Sequence, residues 1–208
     1  MVRSGRFVKS ATMSSMCNPA CIQFAISHIG RDDVQGKSVI EVGSCNVNGS
    51  FRDHVRYFQP ASYLGVDREP GPGVDQICEA ERLIETFGPA SFDLVISTEM
   101  LEHVLDWRLV VSNLKQLVRP EGVVFITTRS YGFPYHQYPN DYWRFETHDM
   151  QRIFADFHIR VLMPDPSEPG LFLKVVRPIN FAPTALEDIA IYSMTTAQRA
   201  LHADATTG

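Results

Sequence analysis

The sequence has few cysteines, no long apolar run and no excess of basic residues. Four cysteines in 208 residues cannot form the disulfide framework of a small secreted protein, which favours a reducing, cytoplasmic environment. No apolar segment approaches the ~20 residues that a transmembrane helix needs, and we expect neither a membrane span nor a secretory signal. The formal net charge of -5 argues against nucleic acid as a partner, because phosphate binding requires a basic surface.

The composition is typical of one folded domain. Hydrophobic residues make up 44% of the chain and charged residues 21%, which excludes a disordered or low-complexity protein. The length suits a single domain over residues 1–208, and no repeat or linker divides it. Within it we predict a helical extension over 1–35, a core over 36–178 and a carboxyl-terminal helix and tail over 183–208.

Four short apolar runs rich in β-branched residues predict strands that are buried on both faces. They are SVIEV (38–42), YLGVD (63–67), FDLVIS (92–97) and VVFITT (123–128). Helical stretches lie between these runs, at 50–58, 81–88 and 104–118. Strands that alternate with helices indicate a parallel sheet with helices on both faces, and hence an α/β fold. Two later runs, 157–164 and 170–177, predict an antiparallel hairpin at the edge of this sheet.

The two ends of the chain have weaker patterns. Pro19 follows Asn18 as in a helix start, and an apolar stripe leads to Gly30. The stripe consists of Ile22, Ala25, Ile26 and Ile29. Cys17 and Cys21 lack a third cysteine or nearby histidines, so we expect a pair on the helix surface and no metal site. Apolar residues near the other end predict a helix over 185–202.

The segments that follow the strands carry the chemistry. Ligands of open parallel sheets bind beyond the carboxyl ends of the strands. After the first strand, Gly43 and Gly49 bracket a loop that lacks the G-x-G-x-x-G pattern of a dinucleotide site. Glu41, at the mouth of this loop, would repel a diphosphate and favour a cation. Asp67 follows at about the interval at which an acid reaches a ribose diol.

Four motifs in this order resemble those of class I S-adenosylmethionine-dependent methyltransferases of the small, methyltransferase-11-like type. They are VIEVGSCNVNGS, YLGVDREPGPGVD, FDLVISTEMLEHV and LVRPEGVVFITT, over about 38–128. The resemblance implies a doubly wound, mostly parallel seven-stranded sheet of Rossmann-like type with an antiparallel carboxyl-terminal hairpin. It also implies S-adenosylmethionine as the cofactor.

The resemblance also assigns residues to the parts of this cofactor. Five residues of the first loop would surround its methionine moiety: Glu41, Gly43, Ser44, Asn46 and Gly49. The expected contacts of the ribose, the adenine and the sulfonium are, respectively, Asp67; Arg68, Glu79 and Ala80; and Thr98 and Glu99. A serine stands where the family usually has a second glycine, which leaves the backbone path of this loop open.

The segment 129–146 is the densest polar and aromatic cluster of the chain. It follows the end of a strand, so we expect it to cover the cofactor and to form the acceptor site. His136 is the candidate general base, with Asp141 as its orienting partner. The candidate pocket walls are Tyr131, Tyr138, Trp143 and Arg144. An equally supported alternative is that Trp143 and Arg144 pack this segment onto the sheet.

The sequence therefore predicts methyl transfer to an oxygen or nitrogen of a small acceptor such as a sugar, a phenol or a natural-product intermediate. One alternative is a regulatory protein that binds the cofactor without catalysis. Another is a nicotinamide-dependent oxidoreductase, which Glu41 and the glycine spacing disfavour. His103 either contacts a ligand or belongs to the start of the long helix. A homodimer is compatible with the sequence, and no residue selects one acceptor.

Overall fold

A computed structural model of the chain describes residues 19–46, 49–136 and 140–204. The helices are α1 (Pro19–His28), α2 (Arg31–Val34), α3 (Arg52–Tyr57), α4 (Leu83–Phe87), α5 (Trp107–Leu117) and α6 (Thr147–Ile153). Two short 3₁₀ helices span Ala80–Arg82 and Leu101–His103. The strands are β1 (Ser38–Val42), β2 (Ser62–Asp67), β3 (Gln76–Ile77), β4 (Phe92–Thr98), β5 (Val118–Arg129), β6 (Trp143–Arg144), β7 (His158–Pro164), β8 (Gly170–Val176), β9 (Ile191–Ser193) and β10 (Gln198–Ala200).

Seven strands form the main sheet, in the order β3-β2-β1-β4-β5-β8-β7. The five strands from β3 to β5 pair in parallel, whereas β8 runs antiparallel to β5 and β7 antiparallel to β8. This confirms the predicted doubly wound sheet and its closing hairpin. The strand order reverses between β1 and β4, and ligands of such sheets bind at that reversal.

One face of the sheet is covered by the helices that precede and follow β1. Phe24 of α1 stacks on Phe125 and Phe172, with ring centroids 4.9 and 4.7 Å apart. The apolar face of α1 is rotated from the predicted stripe, since Cys21, Phe24 and Ala25 are buried and Ile26 is 46% exposed. Cys21 was predicted on the helix surface and is instead fully buried against the sheet.

On the other face, α5 is the longest helix of the described residues. It begins three residues later than predicted, because the Asp106 side chain accepts a hydrogen bond from the Leu109 N–H group and caps it. Glu102 and His103 lie in a separate 3₁₀ turn before this cap. None of the helices in the described ranges is long and apolar enough to cross a membrane.

The predicted helix over 185–202 is wrong. The segment contains β9 and β10, which join β6 in a three-stranded antiparallel sheet of order β10-β9-β6. Ile191 and Ser193 are buried and Tyr192 between them is half-buried, which is the two-residue period of a strand. Pairing with β6, a segment about fifty residues earlier, decides this conformation, and local sequence does not contain that partner.

Candidate active site

A cavity of about 420 Å³ lies at the carboxyl ends of β1, β2 and β4. Its volume falls within the range of small-molecule sites. The structure brings all eleven of the predicted cofactor residues to its wall: Glu41, Gly43, Ser44, Asn46, Gly49, Asp67, Arg68, Glu79, Ala80, Thr98 and Glu99. These residues come from four separate segments of the chain, which the parallel sheet aligns at one edge.

The loop after β1 is held against β2 by its own backbone. The N–H groups of Gly43 and Ser44 both donate to the Val66 carbonyl oxygen, at 2.9 and 3.0 Å. Gly43 has a φ of +80°, and a Cβ there would lie 2.8 Å from Cγ of Met100, so only glycine fits. The Ser44 hydroxyl is buried and has no hydrogen-bond partner among the described residues.

Glu41 provides an acidic group in the cavity wall. Its carboxylate is 4% exposed and accepts a hydrogen bond of 2.5 Å from the Tyr63 hydroxyl. Burial raises the pKa of Glu41 to about 7, although the Tyr63 hydroxyl and the Arg52 charge oppose this shift. A positively charged ligand would favour the ionised form, because it replaces part of the lost hydration.

Asp67 stands at the end of β2. Its Oδ2 accepts a hydrogen bond of 3.0 Å from the Cys45 N–H group, which fixes the carboxylate beside the first loop. Arg68 and Glu79 are exposed and Ala80 is half-buried, so this part of the wall opens to solvent. The arrangement offers a fixed acid for a diol and an open slot for a flat ring.

Glu99 forms the floor of the cavity after β4. It has a φ of +50° and is almost fully buried, where it forms an ion pair with Nε of Arg129. The Cys21 thiol donates to its Oε1 at 3.5 Å. Burial and then the neighbouring charge of Glu102 raise the pKa of Glu99 above its usual value, although Arg129 opposes the shift.

A different set of residues lines another part of the cavity. They are Met100, His103, Val104, Leu105, Asn140 and Tyr142. The predicted acceptor residues Tyr131, His136, Asp141, Trp143 and Arg144 are not part of the cavity wall. Tyr138 lies outside the described residues. We call the six residues that line the cavity here, from Met100 to Tyr142, the acceptor wall.

Trp143 and Arg144 lie behind the acceptor wall. The Trp143 indole N–H donates to the Val104 carbonyl at 3.0 Å, and the ring is 1% exposed. Arg144 makes two bonds to Asp141, of 2.5 and 2.6 Å, and both side chains are fully buried. Neither residue lines the cavity, and their bonds hold the segment 140–145 to the loops around Val104 and Phe133, which favours the packing alternative.

Two neighbouring side chains stabilise the ionised form of Asp141. Burial opposes its ionisation, but the Arg144 guanidinium and then the His136 groups outweigh that effect and hold the pKa of Asp141 well below its usual range. Nδ1 of His136 lies 3.0 Å from Oδ2 of Asp141, as the predicted orienting partnership requires. Tyr131 is 64% exposed and packs against Tyr192, so it contacts the small sheet.

His136 lies next to Glu102 and to His103, whose role the sequence left open between a ligand contact and the start of the long helix. Its ring packs against that of His103, with centroids 4.8 Å apart, and its Nε2 lies 3.9 Å from Oε1 of Glu102. Of the three, His103 lines the cavity. The signal in the sequence was the run of two acids and a histidine, Glu99 to His103, directly after a buried strand.

Comparison with known proteins places this architecture in a family. A family model described as a methyltransferase domain matches residues 22–163. A ubiquinone biosynthesis O-methyltransferase of Idiomarina loihiensis is 31% identical over 124 residues, which cover 53% of this chain and 49% of that protein. The chain thus spans about half the length of the curated relatives that it matches.

Solved structures share the fold at low sequence identity. An S-adenosylmethionine-dependent methyltransferase from Mesorhizobium loti has a TM-score of 0.55 at 15% identity, covering 78% of this chain and 100% of that chain. The 1,6-didemethyltoxoflavin-N1-methyltransferase of Burkholderia thailandensis, solved with S-adenosylhomocysteine, has a TM-score of 0.55 at 18% identity and covers 77% of each chain.

The family match extends over well over half of the chain and includes every strand of the sheet from β1 to β5. The acidic, glycine-bounded cavity fits a cationic nucleoside and does not fit a pyrophosphate. The chain belongs to the methyltransferase domain family, as a class I S-adenosylmethionine-dependent methyltransferase, and S-adenosylmethionine is its cofactor.

Proposed function

We propose that this chain transfers a methyl group from S-adenosylmethionine to a hydroxyl oxygen of a small-molecule acceptor. The observation that carries the proposal is the single cavity at the sheet reversal. One side holds the eleven predicted cofactor residues, and the other side is the acceptor wall, which places a histidine, an asparagine and a tyrosine beside them. The main requirement for this reaction is that the cofactor and the acceptor are held next to each other, and the two sides of the cavity offer a surface to each.

The cofactor, when bound, supplies an electrophilic methyl group on a positively charged sulfur. The residues of the chain bind and orient it. Glu41 and the free Ser44 hydroxyl face the part of the cavity assigned to the methionine moiety, and Asp67 faces the part assigned to the ribose. Because Glu41 is buried, its charge interacts with a cation more strongly than it would in water.

An oxygen acceptor loses a proton during the reaction, so a group near it must accept the proton or stabilise the resulting charge. His103 is the histidine that lines the cavity, and His136 lies directly behind it. We therefore propose that His103 contacts the acceptor. The predicted role of His136 as a general base changes to that of a residue acting through His103, with Asp141 as its orienting partner.

The names of the curated relatives support oxygen as the acceptor atom. The relatives at 31–33% identity over more than 110 residues are called ubiquinone biosynthesis O-methyltransferases. Membership of the methyltransferase family sets aside the oxidoreductase alternative. A cytoplasmic location, a homodimer and the absence of nucleic-acid and membrane partners stay predictions.

Binding and turnover together test the proposal. We expect calorimetry to show one S-adenosylhomocysteine bound per folded chain and no heat with NADH at the same concentration. With labelled S-adenosylmethionine, at least one compound of a panel of phenols, catechols and sugars should become O-methylated. Binding without turnover on any member would favour the non-catalytic alternative, and absence of cofactor binding by folded protein would refute the proposal.

A further inference from the structure

Glu102, His103 and His136 converge on one point behind the acceptor wall. Each offers a metal-ligating atom, and these atoms all lie within 4.8 Å of one another. Oε1 of Glu102 is 4.0 Å from Nε2 of His103 and 3.9 Å from Nε2 of His136. Both distances are too long for a hydrogen bond, so the three groups point at each other without bonding.

Two of these atoms are buried without a partner. Glu102 is fully buried, and its Oε1 accepts no hydrogen bond from any described residue. Nε2 of His103 also has no hydrogen-bond partner within the described ranges, and the side chain is 9% exposed. A buried carboxylate oxygen that has lost its water and gained no donor is destabilising, so the arrangement favours a ligand of positive charge.

The other atom of each group is held by a partner of its own. Nδ1 of His103 lies 2.5 Å from the Asn140 carbonyl oxygen, and Oε2 of Glu102 accepts a hydrogen bond of 2.8 Å from the Thr128 hydroxyl. A carbonyl oxygen only accepts, so Nδ1 of His103 must carry a hydrogen. In the neutral ring Nε2 then presents a lone pair toward Glu102.

His136 has a similar arrangement. Its Nδ1 lies 3.0 Å from the Asp141 carboxylate, which Arg144 holds in place with two bonds. Its Nε2 faces Glu102, as that of His103 does. Histidines that bind metal ions in proteins commonly donate their second ring nitrogen to a carboxylate or a backbone carbonyl. Nδ1 of His103 shows this arrangement with a backbone carbonyl, and Nδ1 of His136 lies 3.0 Å from a carboxylate without forming a hydrogen bond to it.

We propose that Glu102, His103 and His136 bind a divalent transition-metal ion at the acceptor side of the cavity. Ligand atoms that share one ion are about 3–3.5 Å apart, so the most widely separated pair, within 4.8 Å of each other, must approach by roughly 1.5 Å. Two imidazole nitrogens favour manganese, cobalt, iron or zinc over magnesium and calcium, which prefer oxygen ligands. Glu99 is not counted among the ligands, because Arg129 engages it.

The role of the site rests on the proposed function. Three protein ligands leave coordination positions open, and the site lies directly behind the part of the cavity wall that contains His103. A hydroxyl of the acceptor that approached this point would lose its proton to solvent more readily, since a nearby dication stabilises the alkoxide. The oxygen then forms its bond to the methyl group as the bond between sulfur and methyl breaks. S-adenosylhomocysteine is the leaving group.

Cobalt provides a direct test, because its visible spectrum reports the ligands. The full chain is freed of metal with a chelator, dialysed and titrated with Co²⁺ alone. We expect one Co²⁺ per chain, with absorption bands that saturate at this stoichiometry and persist in equimolar Mg²⁺. Each of Glu102→Gln, His103→Gln and His136→Gln should weaken binding at least about tenfold.

The matched control is His158→Gln, which removes an exposed histidine of β7 and should leave the titration unchanged. S-adenosylhomocysteine binding and thermal melting are measured on the same samples. Absence of stoichiometric binding of Co²⁺, Mn²⁺ and Zn²⁺ by protein that still binds S-adenosylhomocysteine would refute the metal site and leave the proposed function intact. Equal weakening by His158→Gln would also refute it. Equal methylation rates with and without metal would refute its role in the reaction.

Discussion

The two walls of the cavity are built in different ways. The cofactor side consists of turns that directly follow β1, β2 and β4, held by backbone bonds such as those from Gly43 and Ser44 to Val66. The acceptor wall depends on side chains and on segments far apart in the chain. Tyr142 donates its N–H to the Glu102 carbonyl, and its own carbonyl accepts from Met194, both at 2.8 Å. The side proposed for the cofactor is thus built locally in sequence, whereas the acceptor wall depends on tertiary pairing.

The largest expected effect is a loss of stability caused by a substitution behind the acceptor wall. Arg144→Met leaves the Asp141 carboxylate buried without its bidentate partner, which should lower the free energy of unfolding by about 3–5 kcal/mol. Chemical denaturation measures this loss. S-adenosylhomocysteine affinity of the protein that stays folded should change little, because the cofactor side does not contact this pair.

Arg82→Met is the control for that variant. Arg82 and Glu85 also pair three residues apart, with a distance of 2.8 Å, but both side chains are more than half exposed. Solvent screens such a pair, so we expect no measurable change in stability. If the two substitutions lowered the free energy of unfolding equally, burial would not be what makes the Arg144–Asp141 pair the stronger one.

The next effect concerns the cofactor side alone. Asp67→Asn keeps the size of the side chain and removes the charge that strengthens hydrogen bonds to a diol. We expect calorimetry to show S-adenosylhomocysteine binding weakened about 10–100-fold, with melting unchanged. Asp53→Asn, an exposed position on α3, serves as the control. If Asp67→Asn bound S-adenosylhomocysteine as tightly as the wild type does, Asp67 would not be part of the cofactor site.

A further effect on the cofactor side depends on pH. The pKa of Glu41 is about 7 in the folded chain and near 4.5 in the unfolded chain, so the native state binds more protons between these values. Ionisation of Glu41 therefore lowers the stability of ligand-free protein as pH rises toward 8. Glu41→Gln should be more stable than wild type at pH 8, by about 3 kcal/mol, and equal to it near pH 4.

Cofactor affinity should follow the opposite trend. The affinity of the wild type for S-adenosylmethionine should fall as pH drops from 8 to 6, because protonated Glu41 loses its attraction for a cation. Glu41→Gln should bind weakly across that range. A wild-type affinity independent of pH would mean that Glu41 does not recognise the charged part of the cofactor.

The sequence alone predicts those parts of the structure whose physical cause lies within a short stretch of the chain. The buried strands β1, β2, β4 and β5 follow from their apolar runs, and the eleven cofactor residues follow from the family motifs at the strand ends. Their clustering is confirmed, while their individual contacts with the cofactor stay predictions.

The other features of the structure depend on contacts with residues far away in the chain, which a local sequence pattern does not reveal. Trp143 and Arg144 read equally well as pocket walls or as packing, and only the Val104 carbonyl and the Asp141 carboxylate decide for packing. The segment 185–202 reads as a helix until β6 is placed beside it. Which face of α1 is buried depends on the rings of β5 and β8.

The small three-stranded sheet ties the segment from 191 to 200 to the back of the acceptor wall through β6 and Tyr142. The seven strands of the main sheet do not need that segment for their pairing. A change confined to this late part of the chain can therefore reshape the choice of acceptor without rebuilding the cofactor pocket. If the acceptor wall binds the substrate as proposed, the substrate range of this molecule has its own structural support, which can vary while the rest of the fold stays constant.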